Sequence, residues 1–274
     1  MKIGPYTLDL KNQFYIMGIL NMTPDSFSDG ASYANLDAAL YRVEQMIKEG
    51  AAIIDIGGES TRPGHVPVSV REEIDRVAPV IAAVKEHFPV PISVDTYKAE
   101  VATAAFEAGA HMLNDIWGLM FDEGEMARLV ASRKEEDVAV CLMHNKKDPQ
   151  YTDLMEDLLT DLKASVKRAT DAGIPGEQLI LDPGIGFAKT TKENLVVMNH
   201  LERLNELGLP VLLGTSRKSM IGNTLQLPVD ERLEGTLATT VMGIMKGATV
   251  IRVHDIKENY RAAKMTWEIL HSED

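Results

Sequence analysis

The sequence predicts a single (β/α)8 TIM barrel over residues 1–274, with a short N-terminal hairpin. Three observations carry this. Eight short apolar runs are spaced along the chain, an amphipathic segment separates each from the next, and no linker, low-complexity stretch or short-period repeat breaks the alternation. A strand that is apolar on both faces belongs to a parallel sheet covered on both sides, and parallel neighbours need a crossover helix between them. At 274 residues with 45% apolar side chains, the chain has the length and the core content of one such barrel.

The elements follow in order. Residues 6–12, "YTLDLKN", are expected to form a small hairpin under the barrel floor. The strand runs are "YIMGILN" 15–21, "AAIIDIGG" 51–58, "PVPISVDT" 89–96, "HMLNDIWG" 111–118, "DVAVCLMH" 137–144, "LILDPGIG" 179–186, "PVLLGTSR" 210–217 and "TVIRVHD" 249–255. Ser69 with Glu72 reads as a capping box ahead of Ile74, Val77, Ile81 and Val84 on one helix face. Thr190 with Glu193 repeats it before Leu195, Met198, Leu201 and Leu204. Gly stops close several helices, in "KEGA", "EAGA", "ELGL" and "MKGA". A doubly wound open sheet is the alternative. It calls for G-x-G-x-x-G after the first strand, and none is there.

Composition narrows the function. Lys and Arg number 28 against 41 Asp and Glu, a formal charge of −13, which opposes non-specific binding to nucleic acid or an anionic membrane. Cys141 is the only cysteine, so no intrachain disulfide forms and a cytoplasmic location is expected. No stretch has the form of a signal peptide or a membrane span.

Nearly every strand run ends on a polar group: Asn21, Asp55, Asp95, Asn114, His144, Asp182, Arg217 with Lys218, and Arg252 with His254. In a barrel those ends share the face where active sites are built. Asp95, Asn114 and Asp182 are expected to point into the mouth, and a buried carboxylate demands a partner. With Lys218 they suit a flat polar heterocycle offering N–H donors and a carbonyl; an internal Asp182–Lys218 pair is the alternative. Arg62, Arg252, His254 and Asn21, with the small polar loops "SFSDGAS" and "GESTRPG", suit a phosphate or diphosphate. The alternative is solvated arginines and a helix-capping histidine. Asn21 also offers an amide oxygen to a Mg²⁺ ion carried by such an anion.

Other chemistries find less support. The first strand has no histidine pair for zinc, the seven histidines are scattered, and there is no G-x-S-x-G elbow. His65, His87, His111, His200 and His271 read as core or surface residues.

Seven stretches then resemble the dihydropteroate synthase family: "GILNMTPDSFSDG" 18–30, "DIGGESTRPG" 55–64, "ISVDTYKAEVA" 92–102, "AGAHMLNDIWG" 108–118, "LDPGIGFAKT" 181–190, "GTSRKSMIG" 214–222 and "IRVHD" 251–255. The resemblance implies condensation of 6-hydroxymethyl-7,8-dihydropterin diphosphate with 4-aminobenzoate, with Mg²⁺, and sulfonamides as competing ligands. It implies that Asp95, Asn114, Asp182 and Lys218 hold the pterin, with Met143 on its face. Asn21, Arg252 and His254 would hold the diphosphate, with Asn21 on the metal. Thr61, Arg62, Pro63, Phe187 and Ser219 would surround the aminobenzoate. Asp95, Asp182, Lys218 and Arg252 would be catalytic. A homodimer through the late helices is implied too. One departure is Ala31, where the family often has a second Gly. The related corrinoid methyltransferase domains share the pterin hold, but "STRPG", "SRKS" and "RVHD" fit a diphosphate leaving group. Arg217 is expected either to touch ligand or to brace the site against an acidic neighbour. The loops 22–34 and 59–68 are expected to close over the first substrate and enforce ordered binding.

Overall fold

The computed structural model describes residues 1–22, 33–60 and 66–272. Eight parallel strands close into a barrel in the order β10-β3-β4-β5-β6-β7-β8-β9. They are β3 (Tyr15–Asn21), β4 (Ala51–Gly57), β5 (Ile92–Asp95), β6 (Met112–Asp115), β7 (Ala139–Met143), β8 (Leu179–Asp182), β9 (Val211–Leu213) and β10 (Ala248–Val253). The crossovers carry α1 (Tyr33–Glu49), α2 (Val70–His87), α3 (Ala99–Ala108), α4 (Glu125–Ser132), α5 (Leu154–Ala172) and α6 (Thr191–Asn199). They continue with α7 (Ser219–Leu225) and α8 (Leu233–Met245), and α9 (Ile256–Leu270) follows the last strand.

Every expected strand is present, but the later ones are shorter than their apolar runs. Pro89 and Pro91 lack the N–H that a ladder needs, so pairing in β5 starts at Ile92. Pro210 lacks that N–H too, and β9 runs only over Val211–Leu213, ending before Gly214. The hairpin forms earlier than expected, between β1 (Lys2–Ile3) and β2 (Tyr6–Thr7). The hairpin and the chain beyond it together plug the floor: Ile3, Leu8 and Leu10 pack with Met17, Ile53, Met112, Cys141, Ile180, Leu212 and Val250 inside the barrel.

The helices follow their local signals closely. Thr190 and Glu193 make a full capping box. Ser69 accepts from the Glu72 N–H at 3.2 Å, while the Glu72 carboxylate turns to Arg76, so that box is half made. The four expected Gly stops adopt left-handed backbone, Gly109 at φ +113°. Val77, Ile81 and Val84 are buried between α2 and the wall, as are Met198, Leu201 and Leu204. Leu195 is not: it is exposed, because the buried face of α6 is Asn194, Val197 and Met198, and Leu195 stands about 100° round the helix from Asn194. No described helix is long and apolar enough to cross a membrane.

Candidate active site

Side chains along a strand alternate between wall and interior, so inward positions recur every two residues. The floor layer is Met17, Ile53, Met112, Cys141, Ile180, Leu212 and Val250, completed on β5 by the buried Ser93. Two residues further along the same strands stand Ile19, Asp55, Asn114, Met143, Asp182, Gly214 and Arg252, with Asp95 on β5. The layer above the apolar floor thus carries polar side chains on five of its eight strands, at the C-terminal face. Gly214 lies between an acid and the cation: a Cβ there would stand 3.8 Å from Asp182 Oδ2 and 3.9 Å from Arg252 Cβ, in ordinary contact with both.

These groups are wired together. Arg252 Nε donates to Asp55 Oδ2 at 2.6 Å and Arg252 Nη2 to Asp95 Oδ2 at 2.5 Å. Asn114 Nδ2 donates to the same Asp55 oxygen at 3.2 Å. Among the described residues, the other oxygens of Asp55 and Asp95 (Oδ1 in each) are buried with no hydrogen-bond partner. Asp182 Oδ1 accepts the Gly184 N–H at 2.7 Å. Lys218 is not paired directly with Asp182; its ammonium meets the Ile185 carbonyl and lies 4.3 Å above the Phe187 ring.

Burial controls the proton affinities. It pushes Asp95 up to about 7, opposed by Arg252 and reinforced by Asp55 and Glu73. Burial raises Asp182 as well, against Lys218 and the Gly184 N–H. Lys218 is pushed down to about 8 by burial, with Asp182 pulling the other way. Burial also works against the Arg252 charge, but Asp55 and Asp95 outweigh it and raise its pKa. Two cations and three acids thus crowd one desolvated mouth, the setting in which charges act most strongly on a ligand.

Around this layer the rim is mixed. Asn21 closes β3 half-buried, two residues above Ile19. His254 follows Arg252 by two residues, and its Nδ1 lies 2.9 Å from Ser216 Oγ. Arg217 does not face the mouth's acids: its Nε and Nη2 grip Asp255 at 3.0 and 2.5 Å, so it is the brace that the sequence left open. Ser219 begins α7 and is exposed. Thr61, Arg62, Pro63 and His65 lie outside the described residues, as does the whole "SFSDGAS" loop.

The structure thus brings Asp95, Asn114, Asp182, Lys218, Arg252 and Met143 to one mouth, with Phe187 beside Lys218. It corrects one separation. The sequence sorts Arg252 into an anion pocket beside the acids, whereas its guanidinium lies between Asp55 and Asp95. Asp55 is the site residue that sequence reasoning left out; its signal was its place at a strand end, opposite Ile19. No three His, Cys, Asp or Glu side chains gather at metal-binding spacing among the described residues. Mg²⁺ bound chiefly by phosphate oxygens asks the protein for only one or two oxygens, and the Asn21 amide suits that demand.

The comparisons with known proteins bear on the same residues. The model of the pterin binding enzyme family matches residues 17–254. The dihydropteroate synthase of Clostridium beijerinckii is 58% identical over 97% of this chain and 98% of its own. That of Bacillus subtilis is 55% identical over 95% and 90%. A Clostridium difficile dihydropteroate synthase crystallised with pteroic acid superposes with TM-score 0.92 at 47% identity, over 97% of this chain and all of that one. A Yersinia pestis enzyme in a sulfonamide drug complex superposes at 0.91 with 43% identity, over 99% of each. The family match extends from the first barrel strand to the last, and the chain belongs to the pterin-binding enzymes as a member of the dihydropteroate synthase family.

Proposed function

We infer that the chain condenses 6-hydroxymethyl-7,8-dihydropterin diphosphate with 4-aminobenzoate by a dissociative, SN1-like route, giving 7,8-dihydropteroate and diphosphate. The observation that carries this reading is the pair of buried carboxylate oxygens, on Asp55 and Asp95, left without partners beside Arg252. A buried acceptor without a donor costs about 1–3 kcal/mol, and a flat ligand edge rich in N–H groups would relieve it. In this reading Asp95, Asn114 and Asp182 take the pterin edge, Lys218 its carbonyl or ring nitrogen, and Met143 its face.

The bond between the methylene carbon and the bridging oxygen breaks, and diphosphate leaves with the electron pair. Arg252, His254 and Asn21 hold the departing anion, and stabilising developing charge is the strongest contribution a preorganised site makes. Asn21 would hold a Mg²⁺ ion accompanying the diphosphate, which would supply further charge neutralisation to the leaving group. The methylene cation is conjugated with the electron-rich pterin and faces Asp95. The aryl amine, neutral at pH 7, then forms the C–N bond and gives up a proton to solvent. No strong general base is needed, which accounts for the lack of a nucleophile–base pair in the sequence.

Phe187, Ser219, Thr61, Arg62 and Pro63 surround the aminobenzoate in this reading, and sulfonamides compete there. The same reading places the enzyme in the cytoplasm as a homodimer. Helix α8 supports the latter by turning Thr236 and Thr240 inward while Met245 and, on α9, Met265 and Ile269 stay exposed.

The test is diphosphate release that depends on added 4-aminobenzoate and is competitively slowed by a sulfonamide. The route is tested with pterin diphosphate labelled with ¹⁸O at the bridging position. The expected result is scrambling of the label into non-bridging positions before product forms. Turnover without scrambling, at a rate that tracks amine nucleophilicity, would replace the dissociative route with direct displacement.

A further inference from the structure

His144 ends its strand on a polar group like the others, yet it lies outside the mouth layer. Its imidazole is buried and stands between two charged partners. Nε2 is 3.1 Å from Asp161 Oδ2, and Nδ1 is 2.9 Å from Lys189 Nζ. A carboxylate only accepts, so the ring proton belongs on Nε2 and the Nδ1 lone pair faces Lys189. Burial, with Lys189 adding to it, pushes the imidazole down to about 3, so it stays neutral in this role.

Lys189 has two further acceptors, the Gly184 carbonyl at 3.1 Å and the Phe187 carbonyl at 3.2 Å. Burial pushes Lys189 down to about 7, with Asp182 pulling it up, Lys218 adding to the fall, and Glu193 and Asp161 pulling it up. The three acceptors around its Nζ match the three protons of the ammonium form. The turn it clasps is otherwise ill-suited to stand alone. Ala188 sits at φ +47°, a left-handed conformation that disfavours a residue with a Cβ by roughly 1–2 kcal/mol, and its carbonyl is held by the Tyr151 hydroxyl at 2.8 Å.

That turn supplies what Lys218 touches. Ile185 offers its carbonyl to the Lys218 ammonium, and the Phe187 ring lies beneath it. The Lys218 stem crosses Gly186 so closely that a Cβ there would come within 2.8 Å of Cδ. We propose that Lys189 is a positioning residue: oriented by His144 and Asp161, its ammonium fixes the 184–187 turn so that Phe187 and the Lys218 stem form the wall against which the amine substrate packs. Identifying that substrate rests on the function proposed above; the clamp itself does not.

The experiment compares Lys189→Met, Lys189→Cys alkylated with 2-bromoethylamine, and Asp161→Asn, a half-exposed position with little risk to folding. Hydrogen exchange in the ligand-free protein reads the clamp without reference to activity. The Phe187 N–H donates to the same Gly184 carbonyl that Lys189 holds, so Lys189→Met is expected to lose protection at 184–187 and little elsewhere. In steady state the KM for 4-aminobenzoate is expected to rise about tenfold, with the KM for the pterin diphosphate within about twofold. The aminoethylated cysteine restores the ammonium at the same reach and is expected to recover the native KM within about threefold. Asp161→Asn should move the same KM in the same direction by less. Unchanged protection at 184–187, or a parallel rise in both KM values, or no recovery on aminoethylation, overturns the proposal. A native protein that releases no diphosphate on adding 4-aminobenzoate overturns the function above, and the exchange result still decides the clamp.

Discussion

The floor and the mouth of the barrel are built from the same eight strands, one inward step apart, and they differ in what completes them. Below, Met17, Ile53, Cys141, Ile180, Leu212 and Val250 are wholly or almost wholly buried, and the N-terminal hairpin covers them with Ile3, Leu8 and Leu10. Above, Asp55 is wholly buried, Asp95, Asn114 and Asp182 nearly so, and Arg252 is partly exposed at the mouth, yet two carboxylate oxygens find no donor. The floor leaves one neutral hydroxyl, Ser93 Oγ, without a partner. The mouth leaves two carboxylate oxygens beside a cation, a far larger demand, and that demand marks it as the layer made for something that arrives later.

The sharpest way to break this contrast is to exchange the two layers' losses at neighbouring inward positions of β8. Asp182→Ala is expected to cost about 10²- to 10³-fold in kcat/KM, the scale for removing one partner of a buried charged hydrogen bond. Its thermal stability should be unchanged or higher at neutral pH, because burial already disfavours the ionised carboxylate. Ile180→Ala should do the reverse. The cavity costs about 2–5 kcal/mol and lowers Tm, while kcat/KM per folded molecule stays within about threefold. Enzyme assays and thermal melts of the two variants decide it. Similar activity losses in both would mean that the layers work as one.

Proton affinities give a smaller effect with a definite sign. The kcat/KM profile of the free enzyme should rise as Asp95 ionises near pH 7 and fall as Lys218 loses its proton near pH 8. Stability runs against activity on the acid side. From the ordinary carboxylate value of 3.8 up to about 7 the folded Asp95 binds the proton that the unfolded chain has released, so its contribution declines as pH rises. For Lys218 the folded state gives up its proton first, between about 8 and 10.5, so stability from that group increases with pH there. Lys218→Arg keeps a charge that does not titrate. The alkaline limb should vanish, with kcat/KM about tenfold lower because the planar fork does not replace the ammonium over Phe187. A surviving alkaline limb would assign it to another group.

The fold was legible because its signals are local and repeated: apolar runs of strand length, Gly stops, and the Thr190–Glu193 box. The mouth was legible for the same reason, since a polar residue inside an apolar strand is conspicuous. What the sequence concealed depends on partners far apart along the chain. Arg252 looked like a free cation for an anion, yet its contacts with Asp55 and Asp95 span 197 and 157 residues. Leu195 looked like core because it shares helical spacing with Met198, and only packing shows that Asn194 takes the buried place instead. Lys189 looked like part of a motif, and only the fold sets His144 and two carbonyls around it.

Cys141 offers the mildest test, and it probes the boundary between the two layers. It pairs with Asn114 on one side and Ile180 on the other, so its thiol lies in the floor directly beneath the polar mouth. Burial raises its pKa well above the ordinary thiol value, and Asp182 and Asp55 add to the rise. A thiol reacts as its thiolate, so both effects suppress reactivity. If the floor is dry, an aromatic disulfide reagent at pH 8 should label Cys141 only as fast as the chain opens, and the rate should stop rising with reagent concentration. Filling the mouth with a pterin ligand should then slow labelling only to the extent that it slows opening. Labelling at the rate of a free thiol, abolished by the same ligand, would mean that water passes between Asn114 and Asp182 into the floor. The barrel would then have one continuous polar channel, and the step from apolar to polar along each strand would no longer mark where structure ends and binding begins.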